Sequence, residues 1–131
     1  MTGAIKIPSD LSNIFRVENL IERLSEMLNF GDELFGNVSV CVVEAVSNAI
    51  QHGNGNDVTK LVVLDYRLKS NILIFTVSDE GSGFDLDNVP DPTLPENIEN
   101  YKGRGLFLIR NLADKVTFEK KGSRINIYFN L

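Results

Sequence analysis

The stretch Val42–Gly55, "VVEAVSNAIQHGNG", decides the fold because it joins an apolar helical pattern to three polar side chains at one spacing. Glu44, Asn48 and His52 follow one another at intervals of four residues. Side chains four residues apart lie on the same face of an α-helix. Most of the residues between them are small or apolar. A helix suited to a protein core therefore presents a carboxylate, an amide and an imidazole in one row.

Two interpretations of this row stay open at the level of the sequence. A solvated stripe on an amphipathic helix is the ordinary one. Against it, the helix is apolar around most of its circumference, and Ala45 and Ala49 leave room for a ligand. In the second interpretation, the Glu44 carboxylate accepts a proton from an attacking hydroxyl group. The Asn48 side-chain oxygen is then a ligand for Mg²⁺.

The composition of the chain narrows the class of protein. The length of 131 residues, 43% of them hydrophobic, predicts one domain over residues 1–131 with a proper core. The formal net charge of −5 argues against direct binding to nucleic acid. We find neither an apolar run of transmembrane length nor a leader, so we expect a cytoplasmic protein without a membrane segment. Cys41 is the only cysteine, which excludes an internal disulfide, and we interpret it as a small core residue.

Two helices are predicted in the first half of the chain. The first follows a short strand in "GAIKIPSD", with Ser9 or Asp10 as its N-cap and Gly31 as its stop. The second begins at residue 32 or 34, ends at residue 51 or 52, and is closed by Gly53.

The second half of the chain alternates strand, loop and helix patterns. Val58–Leu68 and Asn71–Ser78 are predicted strands around the turn "KSN". Gly81–Tyr101 is polar, holds most of the prolines and is typical of a lid or binding loop. A helix is predicted over Gly105–Asp114, followed by a hairpin around Gly122. The order β-α-α-β-β-loop-α-β-β predicts a mostly antiparallel sheet covered on one face by three helices, an α/β (α+β) two-layer sandwich.

A second polar cluster, "DEGSGFD", begins at Asp79, just after a predicted strand. An ordinary glycine turn is one interpretation. A calcium loop is excluded because its twelfth position is Pro90, and the third glycine of a dinucleotide fingerprint is missing. No phosphate-binding P-loop motif is present either. The remaining interpretation is a carboxylate that accepts from an exocyclic amine, with glycines that let a flat ring approach.

The third cluster, "GRGLFLI", starts at Gly103, just before a predicted helix. Free backbone N–H groups at the N-terminus of a helix, the positive end of its dipole, form a binding site for a phosphate group. Arg104 could add a charged fork to that phosphate. A flexible entry to a packed helix is the alternative.

The order of these motifs resembles the GHKL ATPase superfamily, whose nucleotide-binding domain is the Bergerat fold, a two-layer α/β sandwich. Within that superfamily the chain is most similar to the anti-sigma-factor serine/threonine kinases. The resemblance rests on "EAVSNAIQHG", "DEGSGFD", "DPTLPENIE" and "GRGLFLIRNLADKV" and covers essentially the whole chain.

The resemblance implies a role for each motif residue. Glu44 would be the general base, Asn48 the Mg²⁺ ligand and Asp79 the acceptor from the adenine amino group, while Arg104 would reach the γ-phosphate as a second catalytic candidate. The other nucleotide-binding residues would be Gly81 and Gly83 beside the base and ribose, Gly103 and Gly105 at the phosphates through their backbone amides, and His52, Gly53 and Leu106 close by. Many relatives have a threonine in the final hairpin near the adenine, where this chain offers Ser123, with Arg124 and Asn126 close by.

The implied function is that of an anti-sigma regulatory factor. Such a protein binds ATP and Mg²⁺, sequesters a sigma factor and phosphorylates a serine or threonine of an anti-sigma-factor antagonist of the STAS type. The family commonly works as a homodimer. The alternatives are a non-catalytic, nucleotide-dependent protein-binding module and a slow ATP hydrolase. Glu44 favours the kinase, because a binding module does not need a base at that position.

Overall fold

A computed structural model describes the backbone of residues 1–81 and 101–131, and the side chains of residues 1–81 and 105–131. Its centre is a five-stranded sheet in which neighbouring strands are antiparallel, in the order β1-β2-β3-β5-β4. The strands are β1 Thr2–Pro8, β2 Leu61–Lys69, β3 Ile72–Ser78, β4 Lys115–Glu119 and β5 Arg124–Asn130. The predicted antiparallel sheet is confirmed.

Three helices pack on one face of the sheet and complete the predicted two-layer α/β sandwich. They are α1 Ile14–Leu28, α2 Asp32–Asn48 and α3 Tyr101–Leu112. A π-helical turn over Ala49–Gly53, called the π turn below, continues α2. The helices and the covered face of the sheet share one core, to which β3 contributes Leu73, Phe75 and Val77.

The caps of α1 and α2 differ in part from the sequence prediction. Asp10 caps the short 3₁₀ turn before α1, since its side chain accepts from the Ser12 amide at 2.9 Å. The predicted stop at Gly31 is wrong. The first helix ends at Asn29, which takes the left-handed conformation with φ 53°. Asparagine tolerates that conformation better than most residues, and Gly31 is instead the N-cap of α2.

The strand β2 begins later than the pattern of β-branched residues predicts. Thr59 donates to the Asp57 carboxylate through its amide at 3.0 Å and its hydroxyl at 2.6 Å. Asn56 has a φ of 58°, which no strand residue adopts. This local side-chain turn holds Val58 outside the sheet, and pairing starts at Leu61.

By length and composition alone, one helix within the described residues, Asp32–Gly53, could cross a membrane. Core helices of soluble proteins pass the same test. Here this helix packs between α1 and α3 and also contacts β3 and β5, so its apolar residues have partners within the fold.

Candidate functional site

A cleft lies between the C-terminal half of α2 and the end of the sheet formed by β3 and the final hairpin. It is lined from α2 and the π turn, from the end of β3, from α3 and from the hairpin: Ala45, Asn48, Ala49, His52, Gly53, Val77, Asp79, Leu106, Phe118, Gly122 and Ile125. The cavity has a volume of about 40 Å³, well below the roughly 300–1,000 Å³ of ordinary ligand sites. A ligand of nucleotide size therefore requires the cleft to widen.

Asp79 lies at one end of the cleft, directly after β3. Its amide donates to the Ser123 carbonyl at 2.9 Å, which ties it to the final hairpin. Its Oδ1 accepts from the Gly81 amide at 2.8 Å. A Cβ atom on Gly53 would collide with the Asp79 carboxyl group, and one on Gly81 would collide with the Gly53 carbonyl. The two glycines therefore allow the π turn to lie directly on the Asp79 turn.

Asn48 lies at the other end of the cleft, where α2 meets α3. Glu44, one turn earlier on α2, does not line the cleft but reaches the same contact with α3. A Cβ atom on Gly105 would lie 2.7 Å from Asn48 Nδ2 and 3.0 Å from Glu44 Oε2. Both side chains therefore approach the same point of α3, as expected for one face of a helix.

Asn48 carries an unsatisfied donor. Its Nδ2 is buried and has no hydrogen-bond partner among the residues that the structure describes. A buried polar group without a partner costs about 1–3 kcal/mol. Such a group in the wall of a cleft points to a ligand that supplies the missing partner.

The sequence predicted that the third cluster precedes a helix, and this prediction is wrong. The helix α3 begins at Tyr101 and already includes Gly103, Arg104 and Gly105. Glycine in a helix costs only about 1 kcal/mol relative to alanine. At Gly105 the missing side chain is required by the close approach of α3 to α2. The end of the predicted loop at Tyr101 is likewise part of α3.

His52 lies in the π turn, exposed to solvent, and lines the cleft as the sequence suggested. Leu106 is buried in α3 and also lines it. Gly83 and most of the predicted lid, within residues 82–100, lie outside the described residues, as do the side chains of residues 101–104. The role of Arg104 therefore stays a prediction.

None of the three candidate residues of the final hairpin lines the cleft, which the end of this hairpin borders through Gly122 and Ile125. Ser123 is buried, and its hydroxyl donates to the Lys120 carbonyl at 2.9 Å. Arg124 and Asn126 alternate along β5 with core residues and lie on the helix-free face of the sheet. There Arg124 Nε donates to the Ser78 hydroxyl at 3.2 Å, and the side-chain Oδ1 of Asn126 accepts from the Thr76 hydroxyl at 2.7 Å.

Sequence reasoning missed Asn54, which lies between the π turn and β2. This asparagine is only 4% exposed and hydrogen-bonds to three other parts of the chain. In the sequence it stands in "HGNGND", whose composition is that of a surface loop. No local signal marks it, because its partners are between 7 and 45 residues away.

The described residues contain no group of three or more histidine, cysteine, aspartate or glutamate side chains that could hold a metal ion. A magnesium site in this cleft would therefore draw most of its ligands from substrate oxygens and water, which is how Mg²⁺ is commonly bound beside phosphates.

The profile of the histidine kinase-like ATPase domain matches residues 7–129. The chain belongs to that family, and the resemblance stated from its motifs is confirmed. Among curated relatives, a serine-protein kinase RsbW from Oceanobacillus iheyensis is 25% identical over 118 residues, covering 86% of this chain and 75% of the relative. An anti-sigma F factor from Geobacillus thermodenitrificans is 34% identical over 86 residues, covering 64% of this chain and 59% of the relative.

Solved structures share the fold. The RsbU and RsbW domains of a Mycobacterium tuberculosis protein match 98% of this chain and 31% of that chain, with a TM-score of 0.68 and 14% identity. The histidine kinase domain of a blue-light activated kinase from Erythrobacter litoralis matches 95% of this chain and 62% of that chain, with a TM-score of 0.53 and 24% identity. Together with the family match over residues 7–129, these structures confirm the predicted GHKL fold class.

Proposed function

We propose that the chain is an ATP-binding anti-sigma factor that phosphorylates a serine or threonine of a STAS-type antagonist. One observation carries the proposal: a single cleft joins the buried, unsatisfied Asn48 amide at one end to the Asp79 carboxylate at the other. Relatives named as a serine-protein kinase and as an anti-sigma factor support the same function.

In this proposal the adenine lies at the Asp79 end of the cleft. The carboxylate accepts from the exocyclic amine, and Gly53 adds a stretch of backbone without a side chain to the adjoining wall. Ala49, Val77 and Ile125 supply apolar walls. A mixture of apolar walls and a few directed polar groups is typical of small-molecule sites.

The phosphates then extend towards Asn48 and α3. The buried Nδ2 of Asn48 would donate to a phosphate oxygen while its Oδ1 binds Mg²⁺. When bound, Mg²⁺ neutralises negative charge on the phosphates. Because Gly105 lies on Asn48 and Glu44, we infer that the first turns of α3 shift to admit the phosphates.

Glu44 is the proposed general base. The substrate hydroxyl oxygen forms a bond to the γ-phosphorus of ATP, and the bond from that phosphorus to the bridging oxygen breaks. ADP leaves with the electron pair, and the hydroxyl proton passes to the Glu44 carboxylate. Glu44 is half-buried and meets α3 beside Asn48, which places it next to the end of the cleft proposed for the phosphates, although it does not itself line the cleft.

The proposed partners are a sigma factor and a STAS-type antagonist. We propose that the chain is cytoplasmic, forms one domain over residues 1–131, works as a homodimer and makes no direct contact with nucleic acid. The formal net charge of −5 supports the last point, because phosphate backbones attract basic surfaces. Phosphorylation of the antagonist would free the chain to hold the sigma factor.

The test mixes the purified chain with the STAS protein of its own genome and ATP labelled at the γ-phosphate. Label on a serine or threonine of the STAS protein is the expected result, and it should disappear with Glu44→Gln. Glu18→Gln is the matched control, since Glu18 is exposed on α1. Nucleotide binding without transfer would favour the binding module, and phosphate release without labelled protein would favour the hydrolase.

A further inference from the structure

The chain between the π turn and β2 is fixed by one buried side chain, Asn54. Its Nδ2 donates to the Ser9 hydroxyl at 2.9 Å and to the Leu61 carbonyl at 3.1 Å. Its Oδ1 accepts from the Glu80 amide at 2.7 Å. We call these four residues, Ser9, Asn54, Leu61 and Glu80, the Asn54 network. It joins the end of β1, the start of β2 and the residue after Asp79.

The Asn54 network is closed. The Glu80 carboxylate accepts from the Leu61 amide, so Asn54, Leu61 and Glu80 form a ring of hydrogen bonds. The Ser9 hydroxyl in turn donates a hydrogen bond to the Lys60 carbonyl at 2.7 Å. Both polar atoms of the Asn54 side chain have partners, and satisfied buried networks hold one geometry.

The network acts on the residue proposed to read the adenine. The peptide that follows Asp79 is held by Asn54 through the Glu80 amide, and the peptide before it is held by the Ser123 carbonyl at 2.9 Å. The Asp79 carboxylate also accepts from the Gly81 amide at 2.8 Å. A hydrogen-bond acceptor selects its ligand only if its position is fixed to within about 0.5 Å and its direction to within about 10–20°.

We infer that Asn54 is a positioning residue that sets the preference for adenine by fixing the direction of the Asp79 carboxylate. This inference rests on the proposed nucleotide site. Asn54 itself touches no nucleotide in this arrangement: its side chain is 4% exposed, and both of its polar atoms are used inside the protein. Loss of the Asn54 side-chain oxygen leaves the Glu80 amide without its partner and removes one of the hydrogen bonds that hold the Asp79 turn.

The experiment compares fluorescent N-methylanthraniloyl ADP and GDP on the parent chain and on three variants. The chain has no tryptophan, so its own fluorescence adds little to the signal of the analogues. The parent should prefer the ADP analogue. Asn54→Ala should reduce that preference by about tenfold, which corresponds to about 1.4 kcal/mol. Asn54→Asp keeps an oxygen facing the Glu80 amide and should restore most of the preference, even with a lower melting temperature.

Ser9→Ala is the matched structural control. It removes one partner of Asn54 Nδ2 but leaves the bond from the Glu80 amide to Oδ1. It should lower the melting temperature and leave the nucleotide preference unchanged. An equal loss of preference in Ser9→Ala and Asn54→Ala would overturn the inference, because general loosening would then explain both. An unchanged preference in Asn54→Ala would also overturn it.

Amide hydrogen exchange of Glu80 in the parent chain provides a measurement that needs no variant to fold. We expect protection of this exposed residue's amide, and a rate that approaches that of an unprotected amide counts against the network. A parent chain that binds neither analogue refutes the proposed function together with the inference. Binding with an adenine preference that Asn54→Ala leaves intact refutes the inference alone.

Discussion

The two ends of the cleft are built in opposite ways. At the Asp79 end, the Asp79 and Glu80 amides donate to Ser123 and Asn54, and the carboxylate accepts from the Gly81 amide. At the Asn48 end, the Asn48 amide is buried without a partner among the described residues, and the surface of α3 lies directly on it. In the proposed nucleotide site, this difference means that the base-reading end, called the prepared end below, would be fixed before the nucleotide binds. The phosphate end, called the incomplete end, would be completed by its ligand and by movement of α3.

The largest expected effect falls on the incomplete end. Glu44→Gln should reduce phosphoryl transfer to the antagonist by about 10²–10⁴-fold, the usual contribution of general acid–base catalysis. Nucleotide affinity should change little, because the glutamine keeps the size of the side chain. Single-turnover transfer and equilibrium binding measure the two quantities.

Asn48→Ala is the companion to Glu44→Gln. It removes a proposed metal ligand rather than a base, so nucleotide affinity should lose its dependence on Mg²⁺. If both variants bind ATP and Mg²⁺ like the parent, and no transfer is seen from any of the three proteins, the kinase proposal is wrong.

At the prepared end, Asp79→Asn should weaken adenine nucleotides far more than guanine nucleotides. A hydrogen bond to a charged acceptor is worth about 1.5–3 kcal/mol, and an amide can donate as well as accept. Titration with the two nucleotide analogues measures the change. Equal losses for both bases would mean that Asp79 only shapes its turn through the Gly81 amide.

Gly53→Ala tests how rigid the prepared end is. The added methyl group collides with the Asp79 carboxyl group, which is a short side chain held by its neighbours. Overpacking of this kind typically costs about 1–3 kcal/mol. Gly36→Ala in α2 is the control, since its methyl group meets nothing within 4 Å, and it should stabilise the helix by up to about 1 kcal/mol. Urea unfolding measures the free energy of unfolding of both variants. Equal values for Gly53→Ala and Gly36→Ala would contradict the close contact between Gly53 and Asp79.

Gly105→Ala tests the other end by the same substitution. Here the methyl group meets the tips of the Asn48 and Glu44 side chains, 2.7 Å and 3.0 Å away, and such tips can rotate. The gain in helix propensity of about 1 kcal/mol offsets part of the clash. We expect a smaller loss of stability than in Gly53→Ala, and the reverse order would show that the phosphate end is the rigid one.

The smallest effect is expected at Cys41, which lies where α2 meets α3. Burial raises the pKa of the Cys41 thiol to about 12, and the thiol lies 4.0 Å from the Ile109 carbonyl. The thiolate is the reactive form, so thiol reagents should label it very slowly at pH 8. We expect no acceleration by ATP, because only the first turns of α3 are proposed to move. Rapid labelling with ATP would instead show that the whole helix leaves α2.

The sequence was sufficient for the parts of the fold that depend on local periodicity. The five strands, the three helices and the placement of Asp79 after β3 were all predicted, because alternation and helical spacing are visible along the chain. The interpretation of Cys41 as a core residue is also confirmed. The order of the sheet was not predicted, since strand pairing beyond adjacent hairpins has no local signal.

The errors have a common physical cause in tertiary contacts. The start of α3 was placed too late because two glycines suggested a helix entry, whereas Gly105 serves the contact with α2. Asn54 was missed because a loop asparagine looks alike whether it is solvated or buried. Its role depends on Ser9 and Glu80, which are distant in the chain.

The π turn has a consequence for how the chain tolerates insertions and deletions. In this turn the Asn54 amide donates to the Ala49 carbonyl at 2.8 Å, five residues back instead of four. The π turn therefore contains one residue more than an α-helical turn would. Each residue of an α-helix rotates the chain by about 100°. Removal of one residue between Ala49 and Gly53 would rotate the residues that follow, so that Asn54 loses its place between Ser9 and Glu80. The length of this five-residue segment should thus be less tolerant of change than its composition.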